Sequence, residues 1–155
     1  MRNVQDVLNR HISDTGEELT FNRLRGDVEC CRNKPMLIEI DTMPVGMGGY
    51  VVSLRDVDLI CINPDLDEIL RQIVTLHEMS HLLLDHVMDH IDDGSVPTYD
   101  EFKRNRDVQS IMCREYNDAY DTATEQNAES LARALLRSIL RRRDTTPSFA
   151  RDLYE

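Results

Sequence analysis

Residues 75–86 read TLHEMSHLLLDH, and positions 77–81 within them form the pattern HExxH. On an α-helix, residues four apart share a face, so the imidazoles of His77 and His81 can close on one metal ion. Glu78 then lies beside the first ligand and faces the open side of the metal, where a carboxylate takes a proton from a bound water. The spacing therefore predicts a zinc site with His77 and His81 as ligands and Glu78 as the general base.

The residues around this pattern predict one buried helix over Asp67–Val87. Apolar side chains occupy most of its circumference: Leu70, Ile73, Val74, Leu76, Leu82, Leu83, Leu84 and Val87. A helix that is apolar nearly all round is buried, and a buried pair of histidines needs a polar partner. This pattern favours metal ligands over two histidines that only pack in a core.

The rest of the chain predicts further helices and a small sheet. Helical spacing of apolar residues predicts three more helices, over Val4–Ile12, Glu18–Cys31 and Val108–Arg143, the last broken near Asp121. Turn-bounded β-type runs predict three strands, over Met36–Asp41, Tyr50–Leu54 and Leu59–Ile62. The polar segment His90–Asp107 predicts an exposed connection. Together these segments predict an α+β fold, mainly helical, with a small three-stranded sheet next to the HExxH helix.

Length and composition predict one domain over residues 1–155, with a core at about 19–143 and a peripheral tail at 144–155. The N-terminus has no apolar run typical of a signal peptide, and no apolar stretch is long enough for a bilayer. We therefore expect a cytoplasmic protein without a membrane partner. The four cysteines form no CxxC pair and are expected to be buried free thiols: Cys30, Cys31, Cys61 and Cys113.

The formal net charge of −11 limits the partners that the chain can bind. An acidic surface repels phosphate backbones, so we expect no direct nucleic-acid binding. The same charge favours a basic protein partner, and DNA-binding regulators are often basic.

The segment 125–132, EQNAESLA, carries the best candidates for a third zinc ligand, since catalytic zinc takes three protein ligands and keeps one position open. Glu125 and Glu129 are one helical turn apart and share a face with the small residues Ala128 and Ala132. Two carboxylates turned toward an apolar face are costly unless a positive charge meets them. On the residues alone, either Glu125 or Glu129 can be the third ligand.

These two segments resemble the ImmA/IrrE family of metallopeptidases. Residues 75–86 are similar to that family's active-site helix, which reads close to HELGHLLLHH, and residues 125–132 are similar to its ExxANxFA helix. The resemblance covers roughly Leu19 to Leu140. It implies a gluzincin arrangement in which His77, His81 and Glu125 hold Zn²⁺, Glu78 is the general base and Glu129 holds the free N–H of a ligand imidazole.

The chain departs from the family pattern in three ways. Ser80 stands where the family usually has Gly, and Glu129 stands where it has Asn, which keeps Glu129 open as an alternative ligand. Glu125 follows His81 by 44 positions (81 to 125), a longer spacing than is usual for the family. The added length lies in the polar loop 90–107, which we expect near the substrate cleft. This loop would therefore affect substrate access.

Stabilisation of an oxyanion would need an electrophilic donor. Tyr50, Tyr116, Tyr120 and His86 are the candidates, with Tyr50 and Tyr120 kept foremost, although packing is the commoner role for a tyrosine. His86 and His90, four residues apart, are predicted to point away from the HExxH face as surface residues at a helix C-terminus, where positive charge is favoured.

Three hypotheses for function follow. The first is a zinc endopeptidase that cleaves a protein regulator, which by the resemblance is a helix-turn-helix transcriptional repressor of a phage, mobile element or stress operon. The second is a zinc-containing, non-proteolytic binding or sensor module, such as a toxin/antitoxin-type or anti-repressor partner. The third is a metal-independent domain in which the histidines only pack. An intact Glu78 favours the first, because a binder has no physical need for a base there.

Overall fold

The computed structural model of the chain describes residues 2–12, 19–87 and 96–141. Six helices and three strands occupy these residues, which confirms the mainly helical α+β architecture. In chain order the elements are α1 Val4–Ile12, α2 Phe21–Arg32, β1 Met36–Ile40, β2 Gly49–Ser53, β3 Asp58–Ile62, α3 Glu68–Leu83, α4 Tyr99–Arg104, α5 Arg106–Ala119 and α6 Thr122–Arg141. No helix in this described part is long and apolar enough to cross a bilayer.

The sheet has the order β1-β3-β2, with β1 parallel and β2 antiparallel to the central β3. All five residues of β3 are buried, as expected for a strand covered on both faces. Because side chains alternate along a strand, Val51, Ile60 and Ile62 join the core on the α3 side, whereas Tyr50 and Cys61 join a second core with residues of α4 and α5. The alternation separates Tyr50 from the HExxH helix.

Helix α3 lies closely against β2. A Cβ atom at Gly49 would come within 2.6 Å of the Val74 side chain and 2.9 Å of the Cys61 carbonyl oxygen, so this position requires glycine. The Asp67 carboxylate caps the helix by accepting from the Leu70 N–H at 2.9 Å. The first turns are solvent-facing, with Leu70 45% exposed, contrary to the expectation of an all-round buried helix. The buried part begins at Thr75.

Helix α3 ends at Leu83, four residues earlier than predicted. Asp85 takes the left-handed conformation, with φ at 62°, and turns the chain. This early end changes the position of His86, which the prediction left on the helix. His90 and the tail at 144–155 lie outside the described residues.

Helix α6 packs on α3 through a stripe of small and branched side chains, Ala128, Leu131, Ala132, Leu135 and Ile139, all buried. Leu140, which follows Ile139 near the end of the helix, is 55% exposed. The predicted break near Asp121 is confirmed: α5 ends at Ala119, and the Asp121 carboxylate accepts from the Thr124 N–H at 2.8 Å. Glu125 therefore lies in the first turn of α6.

Other boundaries differ by a few residues, for local reasons. The second helix begins at Phe21 rather than Glu18, because Thr20 caps it. The three strands match their predictions within a residue. Part of the predicted connection is helix α4, which a Thr98–Glu101 capping box begins and the fully buried Phe102 anchors.

All four cysteines are free thiols. Cys61 and Cys113 are buried as predicted, but Cys30 is exposed and Cys31 half-buried. Burial raises the pKa of the Cys61 thiol to about 12.

Candidate metal centre

Three side chains from α3 and α6 converge. His77 Nε2 lies 3.2 Å from His81 Nε2 and 3.0 Å from Glu125 Oε2, and His81 Nε2 lies 3.4 Å from Glu125 Oε1. The helical repeat aligns the two imidazoles, and the packing of α6 on α3 brings the carboxylate to them. These three residues form a group that could hold a metal ion.

The spacing of the donor atoms fits a single ion. Ligand distances of about 2.0–2.1 Å and tetrahedral angles place neighbouring donor atoms about 3.3 Å apart. Here the two imidazole Nε2 atoms lie 3.2 Å apart, and they lie 3.0 and 3.4 Å from the two different oxygens of Glu125. One ligand atom from each residue lies within 4.8 Å of the others. A donor set of two imidazole nitrogens and a carboxylate oxygen suits zinc and other transition metals.

His77 is held from behind by a carboxylate. Its Nδ1 lies 3.2 Å from Glu129 Oε2, while Arg133 Nε donates to Glu129 Oε1 at 2.9 Å. A carboxylate can only accept, so Glu129 favours a proton on Nδ1, and a metal ion bound at Nε2 would replace the proton that Glu125 favours there. Glu129 thus occupies the position that the resemblance implied for it, and Glu125 is the carboxylate that meets both imidazoles.

His81 is held by aromatic rings. Its side chain is fully buried, its Nδ1 lies 3.0 Å from His86 Nδ1, and Tyr120 stacks on its face with ring centroids 4.3 Å apart and planes inclined by 10°. Burial, followed by the charges of His77 and His86, lowers the pKa of His81 to about 3, so the ring is neutral at physiological pH. A neutral imidazole is the form that binds metals.

The prediction that His86 points away from the motif was wrong. Because α3 ends at Leu83, the chain folds back and His86 touches His81 on its Nδ1 side, away from the cluster of Nε2 atoms. This position does not suit a donor to an oxyanion at the metal.

Glu78 is buried beside the ligands, with 3% of its surface exposed. The hydroxyl of Tyr116, on α5, donates a hydrogen bond to Glu78 Oε2. Burial raises the pKa of Glu78 to about 8 in the metal-free protein; the Tyr116 hydrogen bond lowers it and the Glu125 charge raises it further.

The structure places the tyrosines that were candidate donors to an oxyanion in different parts of the molecule. Tyr116 and Tyr120 lie in the site, their rings in edge-to-face contact with centroids 5.2 Å apart. Tyr50 lies on the opposite face of the sheet and contacts Tyr116, with ring centroids 6.2 Å apart. The contact of Tyr116 with Glu78 was not predicted. The spacing of Tyr116 and Tyr120, four residues apart where a helix breaks, was the available signal.

Three convergent ligands and a buried carboxyl next to one of them are the parts that hydrolytic metal sites use. Comparisons with protein-family models, curated proteins and solved structures gave no match for this chain. Membership of the ImmA/IrrE family therefore stays a prediction from the two motif segments.

Proposed function

We propose that the chain is a zinc-dependent endopeptidase that hydrolyses a protein regulator, with helix-turn-helix repressors as the substrate class. One observation carries the proposal: one ligand atom each from His77, His81 and Glu125 lies within 4.8 Å of the others, next to the buried Glu78. A metal that only stabilises a fold is usually enclosed by four ligands, whereas three ligands with an adjacent carboxyl are typical of catalysis.

In this proposal His77, His81 and Glu125 hold the zinc ion. When bound, zinc acts as a Lewis acid that polarises a carbonyl and lowers the pKa of water, and its charge favours the ionised form of Glu78. Glu78 accepts the proton of the attacking water and donates it to the leaving amine nitrogen. Tyr116 fixes Glu78 Oε2, so we assign the proton transfer to Oε1.

The substrate class rests on charge and on the resemblance of the motif segments. A net charge of −11 attracts a basic protein and repels nucleic acid, so a DNA-binding regulator would be engaged through its protein surface.

The first test is elemental analysis of the purified full chain, with cleavage of a proteome-derived peptide library read by mass spectrometry. We expect one zinc per chain, and cleavage by the wild type that Glu78→Gln abolishes while retaining zinc. Absence of zinc in a preparation never exposed to chelator, or equal cleavage by wild type and variant, would overturn the proposal.

The second candidate is a zinc-containing binding or sensor module. Two features of Glu78 favour this candidate: its side chain is buried, and its carboxylate is hydrogen-bonded to Tyr116. Both restrict the carboxylate that hydrolysis requires. Cellular assays of the Glu78→Gln variant separate the two: a proteolytic function is lost with the base, whereas a binding function survives.

A further inference from the structure

The turn that follows α3 places His86 beside His81 through the backbone. It is a Schellman motif, in which the His86 N–H donates to the His81 carbonyl at 2.9 Å and the Asp85 N–H donates to the Leu82 carbonyl at 3.2 Å. The residue in the left-handed position is Asp85, with φ at 62°, rather than the usual glycine. The motif returns the chain onto the last turn of the helix, next to the metal ligand.

Contacts from distant parts of the chain anchor this turn. Arg32 Nη1 donates to the Val87 carbonyl at 3.2 Å, and the same guanidinium pairs with the buried Asp58 through Nε at 2.9 Å. The Arg2 N–H donates to the Leu84 carbonyl at 3.2 Å. The position of His86 is therefore built into the fold.

The side chains of His81 and His86 make a contact that selects a tautomer. Two ring nitrogens 3.0 Å apart are hydrogen-bonded only if one carries a proton and the other is bare. If His86 donates, a neutral His81 carries its proton on Nε2 and cannot bind a metal through that atom. If His81 donates from Nδ1, its Nε2 is bare and faces His77 Nε2 and Glu125.

We propose that His86 is a positioning residue for the metal centre: its Nδ1 accepts from His81 Nδ1–H and holds His81 in the tautomer that presents a bare Nε2. His86 thereby does for His81 what the Glu129 carboxylate does for His77, with a neutral acceptor in place of a charged one. The inference rests on the metal site proposed above and concerns its occupancy, whatever reaction follows.

Three full-length variants test the proposal through their affinity for Zn²⁺, measured by competition with a chromophoric chelator. His86→Phe keeps a ring and removes the acceptor, so its zinc dissociation constant should rise by about 10- to 100-fold. His86→Asn keeps an acceptor near the Nδ1 position and should stay within about fivefold of wild type. Glu129→Ala removes the matching acceptor of His77 and gives the expected size of effect.

A spectroscopic measurement keeps the test independent of any loss of folding in the variants. In zinc-loaded wild-type protein with ¹⁵N-labelled histidine, we expect His81 to carry its proton on Nδ1 and to show a nitrogen–nitrogen coupling to His86 Nδ1 across the hydrogen bond. A bare His81 Nδ1 would overturn the inference.

The outcomes separate this inference from the proposed function. Wild-type protein that binds no zinc defeats both. Wild-type protein that binds zinc, with His86→Phe equal to it in affinity, defeats the role of His86 alone. A His86→Asn variant as weak as His86→Phe would show that the ring, and not the acceptor, matters, and would also overturn the inference.

Discussion

His77 and His81 lie one turn apart on the same helix, yet their surroundings differ. The His77 side chain is 19% exposed and is backed by a carboxylate of α6, whereas the His81 side chain is fully buried among aromatic rings. The His77 ring is oriented by a charged group at the rim of the site, and the His81 ring by packing and by its contact with His86. The helical repeat therefore directs both ligands to one point, whereas unrelated parts of the chain support each ring.

The largest effects are expected when either imidazole is removed. His77→Ala and His81→Ala should both lose stoichiometric zinc, because two remaining ligands hold the ion too weakly. In metal-free protein, His81→Ala should cost about 2–4 kcal/mol in the free energy of unfolding, since it leaves a cavity in the core. His77→Ala, at the rim, should cost less than about 1 kcal/mol. Urea unfolding in the presence of a chelator measures both changes in the free energy of unfolding. Equal changes would contradict the difference in burial between His77 and His81.

Glu78 is buried like His81, so its titration tests the buried side of the site. Its folded-state pKa of about 8 exceeds the ordinary 4.5, so the unfolded chain releases a proton that the folded chain keeps. Metal-free wild type should therefore lose stability as pH rises from 4.5 to 8. At pH 7, Glu78→Gln should be more stable than wild type by about 3 kcal/mol, from the free-energy equivalent of the pKa difference.

Urea unfolding of metal-free protein across this pH range checks the sign. The difference between Glu78→Gln and wild type should vanish near pH 4.5, which serves as the internal control. A difference independent of pH would show that Glu78 does not hold a proton in the folded state.

Substitutions at Glu129 test how the more exposed ligand, His77, is supported. Glu129→Ala should weaken zinc binding by about 10- to 100-fold, because His77 loses the acceptor of its Nδ1 proton. Glu129→Gln keeps an oxygen acceptor without charge and should weaken binding less, by about three- to tenfold. Chelator competition measures both affinities. If Glu129→Gln and Glu129→Ala are equally weak, the negative charge rather than the hydrogen bond supports His77.

The smallest effect is expected one turn further along α6. Arg133 is 68% exposed and pairs with Glu129 at 2.9 Å, a type of surface ion pair that contributes little. Arg133→Ala should change zinc affinity by less than about fivefold. Arg137→Ala, on the same helix, is the control for a general change in charge. A loss as large as that of Glu129→Ala would show that the support of His77 extends beyond its direct contact.

The parts of the site that the sequence predicted are those that depend on helical geometry. The four-residue spacing of His77 and His81 determines their common direction, and a one-turn spacing places both Glu125 and Glu129 toward α3. The choice of Glu125 over Glu129 as the ligand came from the family resemblance. The strands were predicted within a residue, because turn residues bound each apolar run.

The missed parts depend on contacts between distant segments. Nothing in Leu84, Asp85 and His86 forbids a helix; the Schellman turn there is anchored by the Arg32 side chain and the backbone of Arg2, which are distant in sequence. The strand alternation that turns Tyr50 away from α3 depends on which face α3 covers. The capping-box spacing of Thr98 and Glu101 indicates the start of helix α4 in the sequence. The helix has a single buried apolar residue, Phe102, so the sequence shows no helical periodicity there.

The positions of the ligands have a consequence for the chain as a whole. His81 and Glu125 are 44 positions apart (81 to 125), so an ion bound between them closes a loop that contains α4 and α5. Such an ion is a reversible cross-link, comparable to the disulfides of secreted proteins in a chain whose cysteines are all free. Metal supply would then determine how firmly the C-terminal helix is tied to the rest of the molecule, as redox conditions do for a disulfide-bonded fold.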